Sequence, residues 1–188
     1  MKYIISLIFF LIFNCSGKDN HHHHEHNQHD KHDHEVKNKN KSLEAHEHGV
    51  SVLNIAQDDS EIEFEFEMPG FDVVGFEFEA KKKDDIKKVK NAIKILLNYK
   101  NMIALPKEAL CKNIYEDAKI FNEGNHSEFI SQYKFECEKI SLVENIKVLY
   151  FQSFELSKAL KVNIVGKGKS LFYQIDSTDS ILNTKNLF

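Results

Sequence analysis

The chain has little of several residue types that define particular protein classes. Its 188 residues include only two prolines and seven glycines, which excludes collagen-like chains and Pro/Gly-rich low-complexity chains. The formal net charge is −4, and the lack of a basic excess argues against a nucleic-acid-binding protein. No HExxH, nucleophile elbow or P-loop is present, so nothing predicts an enzyme. This length fits one domain, or one domain with a tail.

The apolar run at the start of the chain is too short to cross a membrane. Residues 3–13 (YIISLIFFLIF) would make about 16 Å of helix against a hydrocarbon core of about 30 Å, so they predict a secretory signal. Cys15 follows directly and resembles the lipidated cysteine of a bacterial lipobox, which predicts a signal peptide over 1–14. Ser16 would then favour the outer membrane. The alternatives are an ordinary signal peptide or a short uncleaved anchor with Cys15 incidental.

Only three cysteines are present, and none of them forms a CxxC motif. If Cys15 is lipidated, Cys111 and Cys137 remain as a pair in an oxidising compartment, and we predict a disulfide. The bridge would close a loop of roughly 26 residues and stabilise the fold by about 3 kcal/mol. The alternative is two free buried thiols. Two cysteines at this distance are weak evidence for a zinc site.

Histidine is strongly concentrated in one part of the chain. Ten of the eleven histidines lie between His21 and His48. No apolar residue occurs between Lys18 and Val36, so this segment cannot bury enough surface to offset the entropy of ordering it. We therefore predict a disordered, His-rich tether over residues 15–43.

The tether has the chemistry of a metal-binding segment. Neutral imidazole suits Zn, Cu and Ni, and the interspersed carboxylates add oxygen ligands and negative potential. A flexible segment has no fixed coordination geometry, which favours a scavenger or buffer over a catalytic site. The alternatives are a cloning tag, a merely solvating spacer and a pH-responsive tether. The predicted zinc ligands in the tether are His21, His22, His23, His24, His26, His29, His32 and His34.

Residues 44–188 predict an α+β domain of antiparallel hairpins and two helices in the order ββ-α-ββ-α-ββ. The clearest signal is the strict alternation of glutamate with apolar residues over 61–68, which predicts a strand with one buried face. Its four glutamates suggest a solvated face, with a hard-cation site as the alternative. The predicted elements are strands over 49–56 and 61–68, a helix over 84–103, strands over 114–121 and 128–138, a short helix over 142–156, and strands over 159–165 and 170–176.

Three histidines lie outside the tether: His46, His48 and His126. In a strand, positions two apart share a face, so His46 and His48 would present their imidazoles together. Such a pair needs one or two more ligands for a closed zinc site. His126 lies in a predicted turn, where a lone histidine is typically a surface residue. It becomes a further candidate metal ligand if the fold brings it to the other two.

Several ordered sequence blocks carry a family resemblance over residues 45–188. They are AHEHGV at 45–50 with LNIA at 53–56, the Glu/Phe strand, DVVGFE at 72–77, ALP at 104–106 with Cys111, HSEF at 126–129, and YKFEC at 133–137. With these blocks the chain resembles the ZrgA-type periplasmic zinc-uptake proteins of Gram-negative bacteria. The resemblance implies a zinc-binding accessory that passes Zn(II) to the substrate-binding protein of a zinc ABC importer.

The chain departs from that family pattern in three places. Many members carry a His/Asp-rich insertion before the HSxF block, where this chain has only Glu123, Gly124 and Asn125. Members often have a histidine after the GFE block, where this chain has Phe78. The third departure is the lipobox-like Cys15, together with metal-binding capacity concentrated in the tether. These departures fit a scavenger that is held at a membrane by its tether.

The sequence therefore favours a zinc-binding lipoprotein without enzymatic activity, which scavenges or buffers Zn(II) for a high-affinity uptake system. A nickel or copper metallochaperone is the nearest alternative, although the absence of a methionine cluster argues against a Cu(I) site. A surface lipoprotein that uses the tether only as a spacer is another. The expected location is the periplasmic side of the envelope, lipid-anchored with the outer membrane favoured, or alternatively soluble in the periplasm. No nucleic-acid partner is expected.

Overall fold

The structure is a computed structural model that describes residues 47–188. The predicted signal peptide over 1–14, Cys15, the tether over 15–43 and His46 lie outside the described residues and stay predictions. Residues 47–188 contain both helices and strands, so the predicted α+β class is confirmed. In chain order the elements are β1 (Val50–Asp58), β2 (Glu61–Pro69), α1 (Gly70–Val74), α2 (Lys83–Leu96), β3 (Ile103–Ala104), β4 (Cys111–Glu123), β5 (His126–Cys137), β6 (Asn145–Val148), α3 (Tyr150–Ser153), β7 (Ala159–Gly166), β8 (Lys169–Ile175) and β9 (Ile181–Asn183).

Six strands form the larger sheet, in the spatial order β4-β5-β2-β1-β7-β8. The pairs β1–β2, β4–β5 and β7–β8 are antiparallel neighbours joined by tight turns, and β2 is also antiparallel to β5. At the centre of the sheet β1 and β7 are parallel, so the prediction of an antiparallel domain is wrong there. A parallel pair requires a long crossover, and no local sequence pattern specifies which distant strand will return beside β1.

A smaller sheet of three strands has the order β3-β6-β9. Its middle strand lies within 142–156, where we predicted a helix, and that prediction is wrong. Ile146 and Val148 alternate with exposed residues and enter the core, and the helical part is only the four residues of α3. With β3, β6 and β9 added, the chain does not follow the predicted ββ-α-ββ-α-ββ order. Strands of two to four residues are too short for alternation to identify them.

The main helix ends earlier than predicted. We expected a helix over 84–103, but α2 stops at Leu96. Asn98 has an extended backbone, and its side chain accepts a hydrogen bond from the Lys100 amide, because asparagine competes with the helix for backbone partners. Ile103 instead pairs with Val148 in the smaller sheet. Among residues 47–188, no helix has the length and apolar character needed to span a bilayer.

The alternating pattern of β2 is present as predicted and sets the two faces of the larger sheet. The apolar residues are buried, and they are Ile62, Phe64, Phe66 and Met68. The glutamates on the other face have protein partners. Lys134 contacts Glu61 at 2.6 Å and Glu63 at 2.9 Å. The Gln132 amide donates to Glu65, and the Asn54 amide donates to Glu67. This row therefore forms a paired polar face.

The predicted disulfide between Cys111 and Cys137 is present. The two cysteines are directly opposed at one end of the β4–β5 pair. Glu123 and His126 are directly opposed at the other end of the same pair. One hairpin therefore carries the covalent cross-link at one end and a candidate metal ligand at the other.

Candidate metal centre

Two histidines from distant parts of the chain meet at one carboxylate. His48 Nε2 lies 3.1 Å from Glu77 Oε1, and His126 Nδ1 lies 3.0 Å from Glu77 Oε2. The Glu77 side chain is only 13% exposed, whereas the side chains of His48 and His126 are 58% and 51% exposed. A largely buried carboxylate thus joins two imidazoles that solvent can reach.

His48 lies in a tight turn that precedes the first strand. The Val50 amide donates to the Glu47 carbonyl at 3.0 Å, and β1 begins only at Val50. The prediction that His48 lies in a strand is therefore wrong. Gly49 has a φ of 87°, a conformation that is strained for residues with a side chain, and it bends the backbone between His48 and β1. The His48 ring stacks on Phe71 with centroids 4.9 Å apart and planes 10° apart, which fixes the orientation of the imidazole.

A buried carboxylate behind the turn holds it in place. Asp72 of α1 accepts hydrogen bonds from the Gly49 amide at 2.7 Å and from the Ser51 hydroxyl at 2.9 Å. The Ser51 hydroxyl is also hydrogen-bonded to the Tyr150 hydroxyl at 2.8 Å. Burial raises the pKa of Asp72, and the hydrogen bonds from Gly49 and Ser51 oppose that rise. Helix α1 therefore anchors the turn that carries His48.

We expect Asp72→Ala to lower the free energy of unfolding by about 3 kcal/mol, because a buried amide and a buried hydroxyl would lose their acceptor. Asp72→Asn keeps an acceptor for the amide and should cost less.

Since the pKa of Asp72 is raised in the folded state, its contribution to stability is fully present below the unfolded-state pKa and is lost as the pH rises through the folded-state pKa. The free energy of unfolding of the parent protein, compared with that of Asp72→Asn, should therefore fall as the pH rises.

This prediction is checked by urea unfolding of the three proteins in chelator, from about pH 3 to about pH 7. Equal stability of Asp72→Ala and the parent protein would show that the hydrogen bonds do not hold the turn. A stability difference from Asp72→Asn that is constant with pH would contradict the pKa direction.

Glu77 is positioned by the end of α1 and by two phenylalanines. Gly75 closes the helix in the left-handed conformation, with a φ of 83°, and turns the chain away from the helix axis. Phe76 and Phe78 stack with their centroids 4.6 Å apart, and Lys88 Nζ lies 5.9 Å from the centroid of the Phe76 ring. The Phe76 and Phe78 rings lie on one side of this segment. The side chain of Glu77, which is between them in the sequence, therefore points to the other side, toward the two histidines.

His126 reaches Glu77 because α1 packs very closely on the start of β5. His126 is the first residue of β5 and pairs with Glu123, so it lies at a strand end and not in the turn where we predicted it. A Cβ atom on Gly70 would lie 2.0 Å from Ser127 Oγ, closer than two such atoms can approach. Only glycine at position 70 permits this contact, and Ser127 is the neighbour of His126.

One oxygen of the Glu77 carboxylate has no hydrogen bond within residues 47–188. The nitrogen–oxygen separations of 3.1 and 3.0 Å are hydrogen-bond or ion-pair distances, and His126 Nδ1 is hydrogen-bonded to Glu77 Oε2. Glu77 Oε1 is buried and accepts no hydrogen bond from the described residues, since His48 Nε2 is near it but outside hydrogen-bonding geometry. A buried carboxylate oxygen without a donor is available to a cation.

The side chains would need to adjust before they bind a metal ion together. Within residues 47–188, no group of three or more His, Cys, Asp or Glu side chains is already arranged to hold a metal ion. His48, Glu77 and His126 supply three ligand groups, and the side chains of both histidines are more than half exposed. His46 lies two positions before His48, outside the described part of the chain, and stays a predicted fourth ligand. Solvent is the other source of a fourth ligand.

Sequence reasoning found both histidines but missed Glu77 as their common partner. Glu77 is one of 29 acidic residues, and its separation of 49 residues from His126 matches no local metal-binding spacing. The sequence feature that could have indicated Glu77 is its position between Phe76 and Phe78. Three aromatic residues near this carboxylate, Phe71, Phe76 and Phe78, lie outside the buried core of residues 47–188.

Comparison with known proteins gives one family match. A model of the family described as ZrgA family zinc uptake protein matches residues 45–182. The matched range begins just before His48 and contains Glu77, His126 and both disulfide cysteines. None of the curated proteins matches the chain.

Proposed function

Because the chain belongs to the ZrgA family of zinc uptake proteins, we propose that it scavenges Zn(II) outside the cytoplasm and passes it to a high-affinity uptake system. A role in zinc uptake follows from the family, which is not a known enzyme family. The scavenging, the hand-over and the residues that carry them are the proposal.

The observation that carries the proposal is the meeting of two imidazoles at Glu77. A carboxylate that is 13% exposed would be costly to keep charged without a cationic or hydrogen-bonding partner. His126 satisfies one of its oxygens, whereas the other accepts no hydrogen bond from the described residues. A Zn(II) ion bound by His48, Glu77 and His126 would compensate the carboxylate charge and use the available lone pair.

The exposure of the two imidazoles supports transfer over permanent storage. A structural zinc site is closed by four protein ligands, whereas three protein ligands leave a coordination position open. The exposed faces of His48 and His126 would let an incoming ligand reach the ion and replace them one at a time. Binding requires neutral imidazoles, so acidification would oppose it and favour release.

The histidine tract is the proposed capture segment. Its eight histidines, His21 to His34, would hold Zn(II) loosely and raise the local concentration of zinc near His46 and His48. The second site, which includes Glu77 and His126, would then take one ion in a defined geometry. The proposed acceptor is the substrate-binding protein of a zinc ABC importer.

The proposed location is the periplasmic side of the envelope, with a lipid anchor at Cys15 and the outer membrane favoured. A family role in zinc uptake supports a place outside the cytoplasm. The disulfide between Cys111 and Cys137 also supports it, because such bonds persist in oxidising compartments. Metabolic labelling with a fatty-acid analogue, compared between the parent protein and Cys15→Ser, would test the anchor.

Zinc titration of three proteins tests the proposed function. They are the full chain, a variant with all eight tract histidines changed to asparagine, and that variant with His48→Asn and His126→Asn added. We expect the full chain to bind more than one ion, the second protein to keep one bound tightly, and the third to lose it. Asparagine keeps the tract polar, so the comparison isolates the imidazoles.

Other outcomes would contradict parts of the proposal. If the second protein binds no zinc, the folded domain is not a metal site and the tract alone scavenges. If the full chain binds no more tightly than about millimolar, zinc binding fails and the tract is a spacer. Parallel titrations with Ni(II) and Cu(II) compare the three metals, with the tightest binding expected for Cu(II) from the general affinity order of divalent ions at nitrogen and oxygen ligands.

A further inference from the structure

Strand β8 is at one edge of the larger sheet, and within residues 47–188 its outer edge pairs with no other strand. A two-residue turn joins it to β7, with positive φ at Lys167 and Gly168, and Gly166 pairs with Lys169 across that turn. Gly166 and Lys169 form the hydrogen-bonded pair that closes this turn. Along an antiparallel pair of strands, hydrogen-bonded residue pairs alternate with pairs whose amides and carbonyls point away from the partner strand. The backbone amides and carbonyls of Ser170, Phe172 and Gln174 therefore point away from β7, toward the free edge.

The surface around this edge is unusually apolar. Phe172, Ile181 and Val165 are 65%, 58% and 53% exposed, the three highest values among the exposed large apolar residues of 47–188. Val165 is on the adjacent strand, opposite Ser170. Ile181 is on β9, which lies beside β8 because the Tyr173 hydroxyl donates to the Asn183 carbonyl at 2.7 Å. Val165 and Phe172 lie on the same face of the sheet and form an exposed apolar surface beside the edge, whereas Tyr173 and β9 lie on the other face.

The opposite edge of the same sheet also has exposed apolar residues, which are Ile114, Tyr115 and Phe121, but it is protected against pairing in two ways. The outermost strand there is β4, whose pairing is interrupted by an irregularity between Asn113 and Tyr115. Strand β4 also carries charged residues along its length, which are Lys112, Glu116, Asp117, Lys119 and Glu123. Bulges and charges are the usual protection of an edge strand against pairing with another chain. Strand β8 has no irregularity in its pairing with β7, and Lys169 at its start is its one charged residue.

We infer that a second copy of this chain pairs with β8 in antiparallel orientation, with the two-fold axis at Phe172. In this register the edge-directed residues face each other, Phe172 opposite Phe172 and Ser170 opposite Gln174, so six backbone hydrogen bonds are expected by the ladder rule. On the other face, Leu171 of each copy meets Tyr173 of the other.

The charges at the two ends of β8 fit the same arrangement. Lys167 and Lys169 lie at its start, and Asp176 and Asp179 follow its end. An antiparallel partner places the basic start of one strand beside the acidic end of the other, at both ends of the contact. A parallel partner would bring like charges together. The inferred dimer joins two sheets of six strands into one and is independent of the proposed zinc binding.

Sedimentation equilibrium of the purified full chain tests the inference. We expect a monomer–dimer equilibrium, and we expect Phe172→Lys to raise the dissociation constant at least tenfold, because two like charges would face each other on the axis. The matched control is Phe121→Lys, since Phe121 is an exposed phenylalanine on the opposite edge strand; it should leave the constant within about twofold. A monomer at every concentration, or equal effects of both changes, would overturn the inference.

Cross-linking gives a second readout that does not depend on affinity. Directly opposed residues of an antiparallel pair have Cα atoms about 5.5 Å apart, which a disulfide can span. In a Cys15→Ser background, Phe172→Cys should give covalent dimers on mild oxidation, and Phe121→Cys should not. Dimers of both variants would indicate random collision and would overturn the inference. Cross-linking of Phe172→Cys only to a different protein would assign the edge to that partner.

Discussion

Glu77→Gln is expected to weaken zinc binding by the folded domain at least about 100-fold. Loss of an outer partner of a ligand already costs 10–100-fold in affinity, and here the change removes the group that contacts both imidazoles. The amide that replaces the carboxylate has no negative charge, and one of its two polar atoms is a donor that repels a cation. His48 and His126 would keep their positions but lose the negative charge that both imidazoles contact.

The effect of Glu77→Gln should be measured in a protein whose histidine tract does not bind zinc. Competition with a chromogenic chelator, in the protein whose tract histidines are asparagine, reports the domain site alone. Glu79→Gln is the matched control, because Glu79 is exposed and pairs with Lys81 at 3.1 Å. We expect its zinc affinity to match that of the parent. Similar losses from Glu77→Gln and Glu79→Gln would mean that the effect is one of net charge and that Glu77 is not a ligand.

Removal of the disulfide is expected to have the largest effect on stability. Replacing Cys111 and Cys137 with serine should lower the free energy of unfolding by about 3.5 kcal/mol, because the unfolded chain regains the entropy of a loop whose ends are 26 positions apart. Thermal unfolding of the double variant and the parent in chelator would measure the loss. An unchanged midpoint would contradict this expectation.

The same double variant should keep its zinc site when it is folded. The cysteines lie at the opposite end of the β4–β5 pair from His126, about 35 Å away at the usual rise per residue. Zinc affinity measured well below the unfolding midpoint should therefore stay close to that of the parent. A large loss of affinity in a folded variant would show that the cross-link also fixes the geometry at the far end of the hairpin.

The parts of the fold that follow from local pattern were predictable from the sequence. Glutamate and apolar residues alternate in β2, and Tyr133, Phe135 and Cys137 lie on one face of β5. Both patterns reflect burial of every second side chain. The parallel contact between β1 and β7 and the three-stranded sheet were not predictable, because the first needs a long crossover and the second uses very short strands.

The candidate site was predictable only in its histidines. Imidazoles are rare outside the tether, so composition alone selects His48 and His126. Glu77 is chemically like every other glutamate, and only its low exposure and its contacts with two imidazoles distinguish it. Asp72 was missed for the same reason, since its role depends on burial and on the Gly49 amide, neither of which a sequence displays.

The close contact between Gly70 and Ser127 has a consequence for how this protein would respond to mutation. Even a methyl group at position 70 would collide with Ser127 and push α1 away from β5, which would separate Glu77 from His126. In a background whose tract histidines are asparagine, a genetic screen for loss of zinc binding should therefore recover changes at Gly70 as readily as changes at His48 and His126. Gly70, which has no side chain and cannot bind a metal ion, would be the position of the candidate metal centre most sensitive to substitution.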